Sequence, residues 1–162
     1  MVFAMPIREL VELIRNTPDC EVAAPAARGP ALPEGLLLPP DLEEFYSLCD
    51  GLVLFKSAEY TYRILPVEKF EPMDRAFYGE CWCGDEVISG SWFFVAENWN
   101  ADKIAIDLHP RRLGRCYDCF VGESYPVIAC SFEELLKALY ENRGEYTYWL
   151  KPGFKAGAPC DF

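Results

Sequence analysis

Histidine is almost missing from this chain: His109 is the one copy in 162 residues. That scarcity excludes His-based metal clusters and the HExxH helix, and it leaves no Ser-His-Asp order or nucleophile elbow to read. Glycines are isolated at the ends of elements, so no Gly-rich loop is present to cradle a phosphate. Apolar runs such as Trp92-Phe-Phe-Val-Ala96 fall far short of the roughly 20 residues that cross a bilayer. The first residues, Met1 to Arg8, lack a basic region followed by an apolar core, which reads as no signal peptide. A cytoplasmic setting follows, in which the eight cysteines are expected to stay reduced. Basic residues are also short, 15 against 26 acidic, for a formal charge of −11. Such a field repels nucleic acid and lipid headgroups and favours basic proteins or cationic ligands, besides keeping a protein soluble.

Half of the residues are apolar and 15% are aromatic, enough for one globular domain with its own core. The boundaries are set at 1–150 for the domain and 151–162 for a tail. Ile7, Leu10, Val11 and Ile14 share one face of a helix between Pro6 and Asn16. Residues 19–37, rich in alanine, proline and glycine, read as an extended surface connection. In Leu38-Pro-Pro-Asp-Leu-Glu-Glu-Phe-Tyr-Ser-Leu-Cys-Asp-Gly51, paired prolines open a helix and early acids suit its dipole. Leu42, Phe45, Leu48 and Cys49 form its stripe, and Gly51 ends it. Strands follow at 52–56, 60–64, 92–96, 103–108, 115–121 and 126–130, with a helical turn near 66–70. The 92–96 run is apolar on both faces, which suits a central strand. Ser131-Phe-Glu-Glu134 is a capping box, and Phe132, Leu135, Leu136, Leu139 and Tyr140 repeat at helical spacing up to Gly144. Clustered strands flanked by helices predict an α+β fold with a mainly antiparallel sheet.

Chemistry-bearing constellations are few. His109, two residues after Asp107, reads as a turn residue rather than a general base. Cys81, Cys83, Cys116 and Cys119 could supply four thiolates to zinc, against reduced, buried cysteines; within a strand, Cys116 and Cys119 would point to opposite faces. Trp99, in the Asn98–Asp102 turn, reads either as an exposed anchor of an interaction surface or as a ring folded over the sheet edge. Glu97, Asp102, Asp107, Asp118 and Glu123 fall on strands or hairpin ends. On neighbouring strands they would make a distributed acidic face, which favours binding over catalysis.

The order of these motifs resembles the SUKH superfamily. Four stretches carry the likeness: Leu38–Gly51, Ile64-Leu-Pro-Val-Glu68, the hairpin Phe93–Leu108, and Ala129-Cys-Ser-Phe-Glu-Glu-Leu-Leu136. Asparagine, alanine and aspartate stand where that family's hairpin turn usually carries glycine, and the Cys-rich stretch 78–90 has no family counterpart. The resemblance implies a non-enzymatic, cytoplasmic binding protein without cofactor. By that resemblance, similar bacterial proteins are mostly immunity proteins against polymorphic toxins, often nucleases or deaminases. The implied partner is a basic toxin domain, occluded by an acidic face made of Glu97, Trp99, Asp102, Asp107, Asp118 and Glu123, with no nucleic acid or membrane involved. Charge reversal at Glu97, Asp102 and Asp107 is expected to slow association and spare the fold. A scaffolding domain without a toxin, or a zinc- or thiol-dependent protein built on the cysteine pairs, are the alternatives.

Overall fold

The computed structural model describes residues 5–74, 88–119 and 125–154. Helices α1 (Ile7–Arg15), α2 (Pro40–Leu48) and α3 (Phe132–Glu141) pack on one face of a seven-stranded antiparallel sheet. Its strands, β1 (Glu21–Val22), β2 (Leu52–Leu54), β3 (Tyr62–Ile64), β4 (Trp92–Asn98), β5 (Lys103–Asp107), β6 (Cys116–Asp118) and β7 (Val127–Ala129), lie in chain order. This is the expected α+β architecture. No described helix is long and apolar enough to cross a membrane.

The helices bury the stripes their spacing announced. Ile7, Leu10, Val11 and Ile14 of α1, Leu42 and Phe45 of α2, and Phe132, Leu135, Leu136 and Leu139 of α3 are all buried. Each aliphatic or aromatic side chain removed from water contributes on the order of 1.5–3 kcal/mol. Ser131 caps α3 by accepting the N–H of Glu134 at 3.1 Å, and the Glu134 carboxylate accepts the N–H of Cys130 at 3.4 Å. Tyr46 adds to the α2 stripe, donating to the Leu65 carbonyl at 2.7 Å.

Gly51 is required where α2 hands over to β2. Its φ is +91°, and a Cβ there would lie 2.5 Å from the Ile64 carbonyl oxygen. Asp50 beside it accepts the N–H of Val67 at 2.8 Å, fastening the short 3-10 turn Val67–Lys69 that follows β3.

Successive residues alternate between faces. Ile104 and Ile106 of β5 join the helix-side core, while Ala105 joins Trp92, Phe94, Tyr117, Leu65 and Met73 in a second cluster on the outer face. β4 is therefore covered on both sides, and the register shift between Phe94 and Ala96 directs both Val95 and Ala96 into the helix-side core.

Two expectations need correction. Residues 19–37 are not wholly an irregular connection, because Glu21 and Val22 pair with Val53 and Leu52 as an edge strand; two residues are too few to show a period. Cysteine is not uniformly reduced either: Cys20, Cys49, Cys116 and Cys119 are free, but Cys130 is disulfide-bonded. Reasoning from compartment alone does not see which thiols a fold brings within bonding distance.

Candidate functional site

Three of the six residues expected on an acidic face are inside the protein. Glu97 sits on a transverse row in which Arg63 pairs with Glu97 and Glu97 with Lys103 across β3, β4 and β5. Its carboxylate, with 4% of the side chain exposed, is held between the Arg63 guanidinium and the Lys103 ammonium. Burial, and then the Arg63 charge, push the Lys103 pKa down. Asp107 is fully buried. Its oxygens accept from Ser91 Oγ at 2.6 Å, Arg112 Nε at 2.8 Å, the N–H of His109 at 3.0 Å, Trp92 Nε1 at 3.1 Å and Tyr117 Oη at 3.3 Å. Asp118 is buried as well and accepts the Trp149 indole N–H at 2.8 Å.

These carboxylates are internal ties, each compensated as a buried charge must be. The expectation that reversing Glu97 and Asp107 spares the fold is corrected accordingly, because a cation there would face the cations that now serve the carboxylate. Asp102 is partly exposed and Trp99 is 49% exposed, so these two remain on the surface. Glu123 lies outside the described residues.

Around Trp99 the chain builds an aromatic corner. Tyr60 meets Trp99 edge-on at 4.9 Å and Tyr146 at 5.5 Å, so two half-exposed rings are joined through a third. Tyr62 and Trp149, 5.7 Å apart and both buried, form the floor, and the Tyr62 and Thr147 hydroxyls are hydrogen-bonded at 3.2 Å. Hydrogen bonds tie the segments of the corner together. Tyr60 N–H donates to the Gly144 carbonyl at 3.3 Å, and the Asn142 amide donates to the carbonyls of Glu145 and Tyr146.

Left-handed backbone accompanies this corner. Phe55 (φ +50°) and Arg143 (φ +55°) meet where the Arg143 guanidinium lies 5.9 Å from the Phe55 ring, and Ala101 (φ +63°) shapes the Trp99 hairpin. Bulky residues adopt such angles rarely, and they cluster at working sites. Glu59 and Glu145, both exposed, directly precede Tyr60 and Tyr146, and the partly exposed Asp102 follows Trp99 by three residues, so acidic residues accompany all three rings in sequence. A cleft of about 260 Å³ opens beside Trp99, lined by Thr61, Arg63, Glu97, Asn98 and Ala101.

Tyr60, Tyr146 and Arg63 were not among the expected contacts. The available signal was the aromatic density of Tyr146-Thr-Tyr-Trp149 just after the glycine that closes α3.

The zinc reading loses two of its four ligands as partners. Cys116 lies in the helix-side core, while Cys119 packs on Met73 on the outer face, its Sγ 3.7 Å from the Met73 sulfur. Burial raises the thiol pKa of both, that of Cys119 to about 12. Cys81 and Cys83 lie outside the described residues. Among the described residues no three His, Cys, Asp or Glu side chains are grouped to hold a metal. His109 accepts the N–H of Arg111 on Nδ1 at 3.1 Å, while Asp107 bonds the His109 backbone, so the two side chains form no acid–base pair through that nitrogen.

Residues 32–138, which contain α2, the hairpin and most of α3, match the model of the SMI1/KNR4 family (SUKH-1). The chain belongs to this family. It is 37% identical over 156 residues to Immunity protein YokJ of Bacillus subtilis (strain 168), covering 93% of this chain and 92% of that protein. No solved structure matches. Within the SUKH-1 match fall β2 to β7 and Trp99, whereas Tyr146 and Trp149 of the corner lie beyond it.

Proposed function

We propose that this SUKH-1 chain is a non-enzymatic, cytoplasmic immunity protein that neutralises a toxin domain by docking on it with the Trp99 corner. The observation that carries the reading is the 37% identity to an immunity protein along nearly the whole chain. The corner fits the role physically. Tyrosine and tryptophan are side chains that anchor protein interfaces, because they cover much area at little cost in ordering entropy. A net charge of −11, with acids at the rim, steers a basic partner such as a phosphate-gripping nuclease, and long-range steering speeds association. Occlusion is then steric and electrostatic, with Asp102 in the rim and Trp99 in the centre.

The test is co-expression with the products of the adjacent genes, the candidate toxins. Wild-type protein is expected to restore growth, and the Trp99→Ala/Tyr60→Ala/Tyr146→Ala triple variant, verified as folded by circular dichroism, to lose protection. A wild-type protein that never protects sinks the immunity reading. Full protection by the triple variant sinks the corner.

A further inference from the structure

We infer that the Trp99 corner seats an arginine side chain of the partner, with its guanidinium against the rings of Tyr60, Trp99 and Tyr146. The inference rests on the docking reading and gives it a chemistry. It begins with how the rings meet. Trp99 stands at 80° to Tyr60 and at 87° to Tyr62, and Tyr146 stands at 81° to Tyr60. In a perpendicular pair one ring presents its edge, so its own faces are left uncovered by that neighbour. Trp99 and Tyr146 keep 49% and 48% of their surface exposed. Aromatic faces carry the negative lobe of the ring quadrupole, which attracts a cation and repels an anion.

The charge that accompanies the rings has the same sign. Asp102, in the Trp99 hairpin, accepts the Asn98 amide at 3.2 Å. Among the described residues, neither Asp102 nor the exposed Glu59 that precedes Tyr60 is in an ion pair. The cations of adjoining segments are committed: Arg63 and Lys103 hold Glu97, and Lys151 donates to Asn142 Oδ1 at 2.7 Å and lies 3.9 Å from Glu145. Burial pushes the Tyr62 hydroxyl up to about 12, and the Asp118 and Asp102 carboxylates push it the same way, so a negative field reaches the floor of the corner. The chain seats a guanidinium of its own in this manner three residues before Tyr146. Arg143 lies 5.9 Å from the Phe55 ring centroid and 5.4 Å from that of Tyr140, over a pair of rings stacked 5.9 Å apart. No described cation lies over Tyr60, Trp99 or Tyr146. An aliphatic anchor would gain contact there and nothing from the field, and a carboxylate or phosphate would meet ring faces and acids of its own sign. A guanidinium suits both, being planar, able to stack, and less strongly hydrated than an ammonium. The net charge of −11 draws a basic partner close, and the corner then holds one of its side chains.

The experiment titrates the isotope-labelled full chain with Nα-acetyl-arginine amide at constant ionic strength, reading the Trp99 indole and the Tyr60 and Tyr146 ring resonances by NMR. Nα-acetyl-citrulline amide, the uncharged isostere, and Nα-acetyl-lysine amide are the controls. The arginine amide is expected to shift all three rings saturably and to bind about fivefold or more tightly than the citrulline amide, with the lysine amide weaker than arginine. Trp99→Leu keeps an apolar side chain without an aromatic face, and Trp99→Phe keeps a smaller face. Trp99→Leu is expected to lose the preference for arginine over citrulline and to lose protection in the co-expression assay, while Trp99→Phe retains part of both. Equal binding of the arginine and citrulline amides overturns the inference, even where the aromatic triple variant loses protection and the docking reading stands. A lysine amide that binds as tightly as the arginine amide overturns it too. Full protection by Trp99→Leu also overturns it, since the corner would then serve the partner as apolar contact alone. Failure of the wild-type protein to protect is failure of the immunity reading and is read in a separate arm.

Discussion

The carboxylate of Asp41, in the first turn of α2, accepts the backbone N–H of Glu133, in the first turn of α3, at 2.9 Å across 92 residues of chain. Its other oxygen accepts the N–H of Leu42 at 2.9 Å. One side chain thus serves two helix N-termini, where unpaired N–H groups and positive dipole ends both favour an anion. The Phe45 and Phe132 rings, 4.9 Å apart, pack next to it and hold the helices in place. Asp41→Ala is expected to cost about 1 kcal/mol, and about 2–4 °C in Tm for a domain of this size. Urea unfolding with an unchanged m-value checks it. Asp41→Asn, which keeps one acceptor, should lose less.

How much of this was legible beforehand depended on whether the physics is local. α3 could be read because its cap, Ser131, and its stripe from Phe132 to Tyr140 are set by spacing within one helix. β4 could be read because a strand covered on both faces has no polar alternation to obscure it. Glu97, Asp107 and Asp118 were misplaced because alternation tells which residues share a face and not what covers that face. Their compensation comes from elsewhere in the fold: Trp149 lies 31 residues beyond Asp118, and Arg63 reaches Glu97 across a strand pair. The aromatic corner is assembled from three segments, around Tyr60, Trp99 and Tyr146, and no single window of sequence contains it.

Asp107 and Asp102 lie five residues apart on one hairpin, yet their substitutions should behave in opposite ways. Asp107 receives donors from Ser91, Trp92 and Tyr117 in the interior, and from Arg112 and a backbone N–H at part-buried positions. Asp107→Ala leaves those donors without an acceptor and is expected to cost about 3–5 kcal/mol. Asp102 receives the Asn98 amide at 3.2 Å at a partly exposed site, so Asp102→Ala should cost under about 1 kcal/mol. Chemical denaturation of both variants settles the contrast, and similar losses for the two would show that the Asp107 network carries no special weight.

Alkaline pH should weaken the fold through its buried thiols. Burial raises the Cys49 thiol from 9.0 to about 11, and Cys119 moves the same way. Between pH 9 and 11 the Cys49 thiol of the unfolded chain has lost its proton while that of the folded chain keeps it. Stability tied to this group is therefore complete below about pH 9 and declines toward pH 11, by about 1.4 kcal/mol per pH unit. Urea midpoints measured from pH 8 to 11 give the slope. Cys49→Ala should flatten it by about one proton's worth whatever it does to the midpoint at neutral pH, and an unaltered slope would contradict the assignment.

Asp102 and Trp99 should divide the kinetics of partner binding between them. Asp102 stands at the rim, where a charge acts at a distance and is screened within about 8 Å at physiological salt. Asp102→Lys is expected to lower the association rate of the toxin domain several-fold at low salt and to matter little at high salt, with dissociation nearly unchanged. Trp99 acts at contact: its ring stands edge-on to Tyr60 and Tyr62 with half its surface available to a partner. Trp99→Ala should leave the association rate close to wild type and speed dissociation, for a loss of about 2 kcal/mol or roughly thirtyfold in Kd. Stopped-flow association at two ionic strengths, with dissociation followed by surface plasmon resonance, separates the two. If Asp102→Lys speeds dissociation as much as Trp99→Ala does, rim and anchor are not distinct, and the acidic residue sits within the contact itself.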